Sequence, residues 1–189
     1  MIKLSMSIYN QMSSNYTRKM VYRFTELFRN RGYKEIEVLP QVESGPVVIE
    51  ATDPSNLDAF VRLMYFETPK FNVRTAELCV NNLGIDHLIV IYKDSITCFA
   101  KRVLEMHSGI ITESFPAKEL ESNITRHVLQ PLKFRRLEPK ERDIFKRKWG
   151  VKFPIMLSSD KIARYFNFTK GDVVEVHRRN GDVIYRIVK

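Results

Sequence analysis

The sequence predicts two joined domains, an α/β domain over residues 1–122 and a smaller α+β domain of helices and a hairpin over residues 123–189. Strands and helices alternate along the first domain, as in α/β folds. In the second domain, a pair of short helices precedes an Asn-Gly hairpin signal. The charge divides in the same way, because residues 126–189 hold 17 of the 31 Lys and Arg but 7 of the 22 Asp and Glu.

The first domain is predicted to open with an amphipathic helix over residues 15–31, which Gly32 ends. Its apolar stripe consists of Met20, Phe24, Leu27 and Phe28. Period-two and period-3.6 patterns then alternate along the chain. They predict strands at 36–38, 47–49 and 61–66, a helix at 75–83, a strand at 86–92, a helix at 95–106 and a strand from 110. The apolar residues of the last helix, Phe99, Val103 and Met106, share one side.

The second domain is predicted to contain two helices and a terminal hairpin. A helix over residues 139–149 begins with a proline, which is favoured in the first turn. Ser159 or Asp160 is predicted to cap a short helix that runs to Phe166. Asn180-Gly181 predicts a two-residue turn between the last two strands.

The residue patterns that carry catalysis do not occur in this sequence. The Glu-x-Lys triplet Glu138-Pro139-Lys140 has a proline at a helix start, so it cannot form the strand-borne metal site of a nuclease. The four histidines lack the short spacing of paired ligands, and the two cysteines are too few for a four-ligand zinc site. Glycine-rich phosphate loops are missing as well. We therefore expect a non-catalytic protein without a metal or cofactor.

Composition and apolar patterning indicate a folded protein inside the cell. Hydrophobic residues make up 44% of the chain, which excludes a largely disordered protein. The longest apolar runs, such as 88–92, are far shorter than the roughly 20 residues of a membrane-spanning helix. The first ten residues lack the apolar block and cleavage pattern of a secretory signal. We expect an intracellular protein that does not bind membranes.

The positive excess of the second domain indicates an acidic partner or nucleic acid. It is concentrated in Lys133-Phe134-Arg135-Arg136 and in the helix that follows. On that helix Arg142, Lys146 and Trp149 share a flank, which places a basic face beside an aromatic edge. Phosphates or an acidic protein surface would bind such a face. The alternative, in which Phe145 and Trp149 fill the core and the lysines are merely solvated, stays open.

Three stretches near the C-terminus resemble one known family. They are Asp160-Lys161-Ile162-Ala163-Arg164-Tyr165-Phe166, Lys170-Gly171-Asp172-Val173-Val174-Glu175-Val176 and Tyr185-Arg186-Ile187-Val188. In order and spacing they resemble the C-terminal signature of the RNA polymerase fifth-subunit family of eukaryotes and of its archaeal counterparts. Residues 123–131 resemble the family's domain junction, and weaker similarity covers Arg31-Gly32-Tyr33, Leu88-Ile89-Val90 and Glu113-Ser114-Phe115. Archaeal members lack the N-terminal domain, so the chain is similar to the eukaryotic or large-DNA-virus form.

The resemblance implies a non-catalytic subunit of a multisubunit DNA-dependent RNA polymerase. The N-terminal domain would have a restriction-endonuclease-like fold and form a jaw near downstream duplex DNA, with nucleic-acid contacts at Lys93, Thr97 and Lys101. The C-terminal assembly domain would anchor the chain on the largest subunit, beside other core subunits. The interface residues implied are Asp160, Ala163, Arg164, Tyr165, Gly171, Val173, Val174, Tyr185 and Arg186. The implied location is the nucleus for a eukaryotic member, and the host cytoplasm or virion for a viral one.

Val173 and Val174 are consecutive strand residues and must point to opposite faces. A small core covers one face of a hairpin, so we expect one valine to be buried and the other to meet a partner. The chain departs from the family pattern at Ile155 and Lys161, and in Ile96-Thr97-Cys98-Phe99-Ala100, where the family has a Thr-Pro-Ser-Ala loop. A free-standing basic DNA-binding protein or a degenerate nuclease is the alternative function.

Overall fold

The structure, a computed structural model, describes residues 14–41, 45–53, 59–81, 84–107, 109–150 and 152–189. The chain divides into two units, Met1–Ser122 and Asn123–Lys189, called the N-terminal unit and the C-terminal unit below. The balance of charge along the sequence changes at about the same place. None of the helices described is long and apolar enough to cross a membrane.

The N-terminal unit is built on a five-stranded mixed sheet with the order β1-β2-β3-β5-β7. Its strands are β1 (Lys34–Val38), β2 (Val47–Thr52), β3 (Phe60–Phe66), β5 (His87–Tyr92) and β7 (Ile111–Pro116). Two short strands, β4 (Lys70–Phe71) and β6 (Ser95–Ile96), pair separately. The helices described are α1 (Asn15–Asn30), α2 (Val73–Val80), α3 (Cys98–Met106) and α4 (Ala117–Leu120). The predicted helix at 75–83 corresponds to α2, and its last residues, 82 and 83, lie outside the described residues.

Helices cover both faces of this sheet. Strands β3, β5 and β7 run parallel, as strands joined through helices do. On one face, Leu88 and Val90 of β5 pack in a cluster with residues of α2 and α3. On the other face, Phe24 of α1 lies against Tyr65 of β3, with 5.4 Å between the ring centroids. Burial on both faces explains why β5 reads as an uninterrupted apolar run.

Helix α3 exposes two of the three apolar residues that were predicted to share one side, whereas the third, Val103, packs against the buried cluster. Phe99 and Met106 are each 71% exposed, whereas Ala100 and Leu104 are buried. Ala100 and Ala76 belong to the same buried cluster, and these small side chains allow α3 to lie close to its neighbours. The helix also begins later than predicted, at Cys98, because the preceding residues form β6.

The C-terminal unit contains a four-stranded sheet with the order β8-β10-β11-β9. Its strands are β8 (Lys133–Arg136), β9 (Ile155–Met156), β10 (Val173–His177) and β11 (Val183–Val188). A 3₁₀ turn (Ile124–Arg126) and the helices α5 (Pro139–Trp149) and α6 (Lys161–Tyr165) complete it. The prediction of a bare hairpin was incomplete, because β8 pairs with β10 and β9 with β11. With two to four residues, neither added strand shows a readable period.

Both faces of the terminal hairpin are covered within the unit. Val174 packs with Ile162 and other residues in a buried cluster on the α6 side. On the opposite side, the Phe145 ring of α5 lies 4.5 Å from that of Tyr185, between centroids. Val173 is therefore 1% exposed and Val174 0%. The expectation that one of these valines stays free for a partner is wrong, because α5 supplies the second cover.

The hairpin turn is one residue longer than predicted. The Arg178 amide donates a hydrogen bond to the Asp182 carbonyl at 2.8 Å, and the Gly181 amide donates to the Arg178 carbonyl at 3.1 Å. Residues 179–181 thus form a three-residue loop, which commonly has glycine in the left-handed position. Gly181 fills that position, with φ +89°.

Candidate partner-binding groove

A groove of about 620 Å³ opens on the α6 side of the C-terminal sheet. Its apolar lining is formed by Phe134, Met156, Ile162, Val176 and Ile184. The chain segment before β8 contributes Val128, Leu129, Gln130 and Pro131. The remaining lining residues are Asp160, Arg178, Arg179, Asn180 and Arg186. An apolar floor beside polar and charged groups is the composition of a protein-binding surface.

The segment before β8 presents two adjacent apolar side chains to solvent. Val128 is 71% exposed and Leu129 84%. The backbone holds them in place, because the Leu132 amide donates to the His177 carbonyl at 2.8 Å and the Gln130 amide to the His127 carbonyl at 2.9 Å. A fixed, exposed apolar pair beside a groove marks a surface that another molecule can cover.

Cations outnumber carboxylates around the groove. Arg178, Arg179 and Arg186 line it with one acid, Asp160, whose side chain accepts a hydrogen bond from the Ile162 amide at 2.8 Å. The Nε atom of Arg186 is buried and has no hydrogen-bond partner among the described residues. A buried donor without an acceptor is costly, so a carboxylate or carbonyl of a bound partner would stabilise this side chain.

The carboxylate of Glu175, within the C-terminal sheet, is already paired. Glu175 of β10 accepts a hydrogen bond from Arg135 at 2.8 Å, and His177 Nε2 lies 2.5 Å from its other oxygen. The hydrogen bond from Arg135 is the main cause, ahead of that with His177, that lowers the pKa of Glu175 to about 2. Glu175 is therefore ionised, but its charge is paired with Arg135 on the face of the sheet opposite the groove and does not neutralise the groove arginines.

The residues that the family resemblance assigns to the interface fall in different places. Asp160 and Arg186 line the groove. Tyr185 lies on the opposite face, where its hydroxyl donates to Glu175 at 3.3 Å. Gly171 turns the chain before β10 with φ +95°, and Arg164 is half-buried on α6. Four are buried inside the unit: Ala163, Tyr165, Val173 and Val174.

The three residues assigned to nucleic acid lie near the start of α3. The Thr97 hydroxyl caps this helix by accepting a hydrogen bond from the Ala100 amide at 3.2 Å. Lys101 is exposed one turn later, with its Nζ 3.6 Å from Glu105. Lys93 is exposed in the bend between β5 and β6. Two cations are thus accessible to phosphate, and Thr97 has a structural role.

Sequence reasoning missed a buried polar cluster in the N-terminal unit. Glu113 of β7 binds the Arg31 guanidinium through hydrogen bonds of 2.6 and 2.8 Å, and His87 Nε2 lies 2.7 Å from Glu113 Oε1. Burial would raise the pKa of Glu113, but the charge of Arg31 and the hydrogen bonds from His87 and Arg31 lower it to about 2. The cluster could not be predicted from local residue spacing, because 82 residues separate Arg31 from Glu113.

The paired carboxylate of Glu113 is not available to bind a metal or to accept a proton at neutral pH. Among the residues that the structure describes, no group of three or more His, Cys, Asp and Glu side chains is placed to hold a metal ion.

The C-terminal unit thus carries a groove with an apolar floor and a cationic rim. The family described as RNA polymerase Rpb5, C-terminal domain, matches residues 122–188, which is this unit. The resemblance inferred from the sequence is thus confirmed for the C-terminal unit, which matches the C-terminal domain family of RNA polymerase Rpb5.

Several relatives carry polymerase names. The "Putative DNA-directed RNA polymerase subunit 454R" of Invertebrate iridescent virus 6 is 39% identical over 53% of this chain and 60% of its own length. The "DNA-directed RNA polymerase V subunit 5C" of Arabidopsis thaliana is 29% identical over 51% of this chain and 42% of its own length. The Dictyostelium discoideum protein "DNA-directed RNA polymerases I, II, and III subunit rpabc1" is 28% identical over 69% of this chain and 68% of its own.

Some of these alignments cover only part of the relative. The chain spans less than two thirds of the length of the iridescent virus protein and of the Arabidopsis subunit 5C. A solved structure titled "Structure of EndoMS in apo form" aligns with 51% of this chain and 46% of its own at 17% identity, with a TM-score of 0.35. A score this low does not establish a shared fold.

Proposed function

We propose that this chain is a non-catalytic subunit of a multisubunit DNA-dependent RNA polymerase. The observation that carries the proposal is the Rpb5 family match over residues 122–188, on a unit with a cationic and apolar groove. Relatives from a virus, a plant and Dictyostelium are named as subunits of such polymerases. The chain would contribute attachment and DNA guidance, while other subunits form the active centre.

The C-terminal unit would anchor the chain on the largest polymerase subunit. The groove offers an apolar floor, and Arg178, Arg179 and Arg186 offer positive charge. A segment of the large subunit with apolar side chains and a carboxylate would complement both features. Val128 and Leu129, exposed at the groove, would then be covered.

The N-terminal unit would form a jaw near downstream DNA, with a restriction-endonuclease-like fold that has no catalytic role. Its mixed sheet with helices on both faces supports a rigid scaffold of this kind. Lys93 and Lys101, both exposed, would meet the phosphates of the duplex.

Copurification with the largest subunit tests whether the groove attaches the chain to it. The tagged full chain would be co-expressed with the largest subunit of its cognate polymerase, as wild type and as the double variant Val128→Asp/Leu129→Asp. Both side chains are exposed, so the variant should fold and yet lose the partner. Leu78→Asp, at a leucine 66% exposed in the N-terminal unit, is the matched control and should copurify normally. Equal recovery of wild type and double variant would reject the groove as the anchor.

The net charge of +9 also favours a second candidate, a free-standing DNA-binding protein. Such a protein would bind duplex DNA tightly without any polymerase subunit, and its binding would weaken steeply with salt. Titration of a random-sequence duplex with the purified chain separates the two functions, since a subunit would bind its polymerase partner far more tightly than DNA.

A further inference from the structure

An acidic pocket of about 480 Å³ opens beside strands β1 and β2 of the N-terminal unit. The carboxylates of Glu35, Glu37 and Glu50 line it together with Thr52 and Phe60, and these five residues are called the β1–β2 pocket below. None of the lining residues that the structure describes is cationic. In a chain with a net charge of +9, such a pocket is unsuited to nucleic acid and indicates a positively charged ligand.

The strand register turns four of these side chains to the same face of the sheet. Glu37 of β1 lies directly opposite Glu50 of β2, and Phe60 of β3 lies directly opposite Thr52 of β2. Directly opposite residues point to the same face, and so do Glu50 and Thr52, which are two positions apart on one strand. Glu35 lies in the bulge of β1 that precedes Glu37. The pocket is thus built from side chains that are neighbours in the sheet.

The negative charge of this pocket is only partly compensated. Like charges directly opposite each other, as Glu37 and Glu50 are here, destabilise a pair of strands. Arg62 of β3 pairs with Oε1 of Glu50 at 2.6 Å. Among the ion pairs of the described residues, none involves Glu35, Glu37 or the neighbouring Lys34. One oxygen of Glu50 and two whole carboxylates are therefore available to an external cation.

A buried hydroxyl group in the same pocket lacks a partner. Thr52 is 6% exposed, and its Oγ1 atom has no hydrogen bond to any of the residues that the structure describes. A buried polar group without a partner is costly, so a ligand that hydrogen-bonds with this hydroxyl would be favoured. The hydroxyl can accept a hydrogen bond as well as donate one. It therefore complements the neighbouring carboxylates as an acceptor for N–H groups.

The geometry favours a guanidinium over other cations. Within the described parts of the chain, no group of three or more His, Cys, Asp and Glu side chains is placed to hold a metal ion. A guanidinium is planar and presents five N–H donors in a fork that matches carboxylates, whereas an ammonium is a compact point charge. Phe60, 49% exposed, offers a ring on which the plane of a guanidinium can stack.

We infer that the β1–β2 pocket binds an arginine side chain of a partner protein, with the guanidinium between Glu37 and Glu50, beside the Thr52 hydroxyl and against Phe60. Free arginine is a poorer ligand, because its own carboxylate would meet three glutamates and no cation among the described lining residues. An arginine within a peptide chain has no such charge. The inference goes beyond the polymerase proposal and does not depend on it.

Amide NMR spectra of the labelled full chain test this with the peptide acetyl-Gly-Arg-Gly-amide. Peptides with lysine or citrulline in place of arginine, and free arginine, would be titrated in parallel. We expect saturable shift changes at the amides of Glu37, Glu50 and Phe60. The arginine peptide should bind at least about 3-fold more tightly than the lysine peptide or free arginine. The citrulline peptide, which has nearly the same shape but no charge, should cause no saturable change.

Paired variants separate the pocket from general charge. Glu37→Gln/Glu50→Gln should weaken binding of the arginine peptide at least about 5-fold. Glu77→Gln/Glu105→Gln removes the same charge at exposed glutamates of α2 and α3 and should change the binding by less than about 2-fold. Thr52→Val should weaken the binding but leave the free protein as stable or more stable, because it removes an unpaired hydroxyl.

Three results would overturn the inference: no saturable change with the arginine peptide, equal binding of the lysine or citrulline peptide, or an equal loss of binding in the control variant. Tighter binding of free arginine than of the peptide would overturn the assignment to a partner protein. Self-association of the wild type that Glu37→Gln/Glu50→Gln loses would do the same, since a second copy would then supply the arginine. If circular dichroism shows the double variant unfolded, Glu37→Gln alone, at an exposed side chain, replaces it.

Discussion

Arg31 and Glu113, 82 residues apart in the chain, form a doubly hydrogen-bonded ion pair inside the N-terminal unit, with N–O distances of 2.6 and 2.8 Å. Arg31 directly follows helix α1, and Glu113 lies in strand β7. His87, the first residue of β5, also contacts this carboxylate. One carboxylate therefore links three elements of the unit.

Glu113→Gln should destabilise the N-terminal unit strongly. The side chain of Arg31 is 3% exposed, so the substitution leaves its buried charge without the opposing charge of Glu113. Loss of one member of such a pair costs about 3–5 kcal/mol. Glu50→Gln removes a half-exposed pair with Arg62 and should cost at most about 1 kcal/mol. Urea unfolding at pH 7 measures the free energy of unfolding of both variants. An equal loss in the two would contradict the structural role of Glu113.

The same carboxylate should make stability depend on pH in the acid range. The pKa of Glu113 is about 2 in the folded protein, against an ordinary value of 4.5. Its stabilisation is therefore complete above about pH 4.5 and is lost as the pH falls toward 2. Between these values, the free energy of unfolding should fall more steeply for the wild type than for Glu113→Gln. Parallel pH profiles would show that Glu113 titrates normally.

Val173→Asp and Val174→Asp should each unfold the C-terminal unit. Both side chains are buried, one on each face of β10, and an aspartate at either position would place an unpaired charge in the core. Val183→Asp, at a valine of the same hairpin that is 43% exposed, is the control and should leave the unit folded. Amide NMR spectra of the full-length variants show whether the signals of the C-terminal unit stay dispersed, as in a folded domain. A folded Val173→Asp protein would mean that α5 does not cover this face.

Thr97 should stabilise the N-terminal unit by capping helix α3. Thr97→Ala removes the acceptor for the Ala100 amide and should cost about 0.5–2 kcal/mol, whereas Thr97→Ser keeps the oxygen and should cost little. Lys101→Ala should leave stability almost unchanged, because its side chain is exposed. Thermal unfolding distinguishes these variants. If Thr97→Ala were neutral, the cap would contribute nothing.

Gly181→Ala should destabilise the hairpin by about 1–2 kcal/mol, the cost of a left-handed backbone at a residue with a side chain. No atom lies within 4 Å of the added Cβ, so the cost is conformational and not steric. At Gly84 there is also open space, but its φ is not in the left-handed region, and Gly84→Ala should have little effect. Chemical denaturation measures the free energy of unfolding of the Gly181→Ala and Gly84→Ala variants. A similar loss of stability in both would contradict a left-handed backbone at Gly181.

Strong local periodicity made several elements predictable from the sequence. The stripe of Met20 and Phe24 predicted α1 to within one residue at its end, and the apolar run at 88–92 predicted β5 to within one residue at its start. Pro139 and Gly150 bracketed α5 correctly. The C-terminal signature residues predicted the match of residues 122–188 to the Rpb5 C-terminal domain family, because their order and spacing are specific.

The rest depends on contacts between distant residues. The groove combines the segment before β8 with the hairpin turn and α6, and no local pattern links them. Strand β8 reads as a basic stretch, since three of its four residues are Lys or Arg and its pairing with β10 is invisible in the sequence. The orientation of α3 does not follow from its apolar residues alone, because Ala100 and Leu104 are buried while Phe99 and Met106 are exposed.

Affinity purification of the tagged full chain from cells that contain its cognate polymerase tests the central proposal most directly. The proteins that copurify would be identified and quantified by mass spectrometry after a nuclease treatment that removes DNA and RNA bridges. Membership of the polymerase predicts that the largest subunits are recovered in amounts close to that of the tagged chain. Recovery of the chain alone, or loss of every polymerase subunit after nuclease treatment, would contradict it.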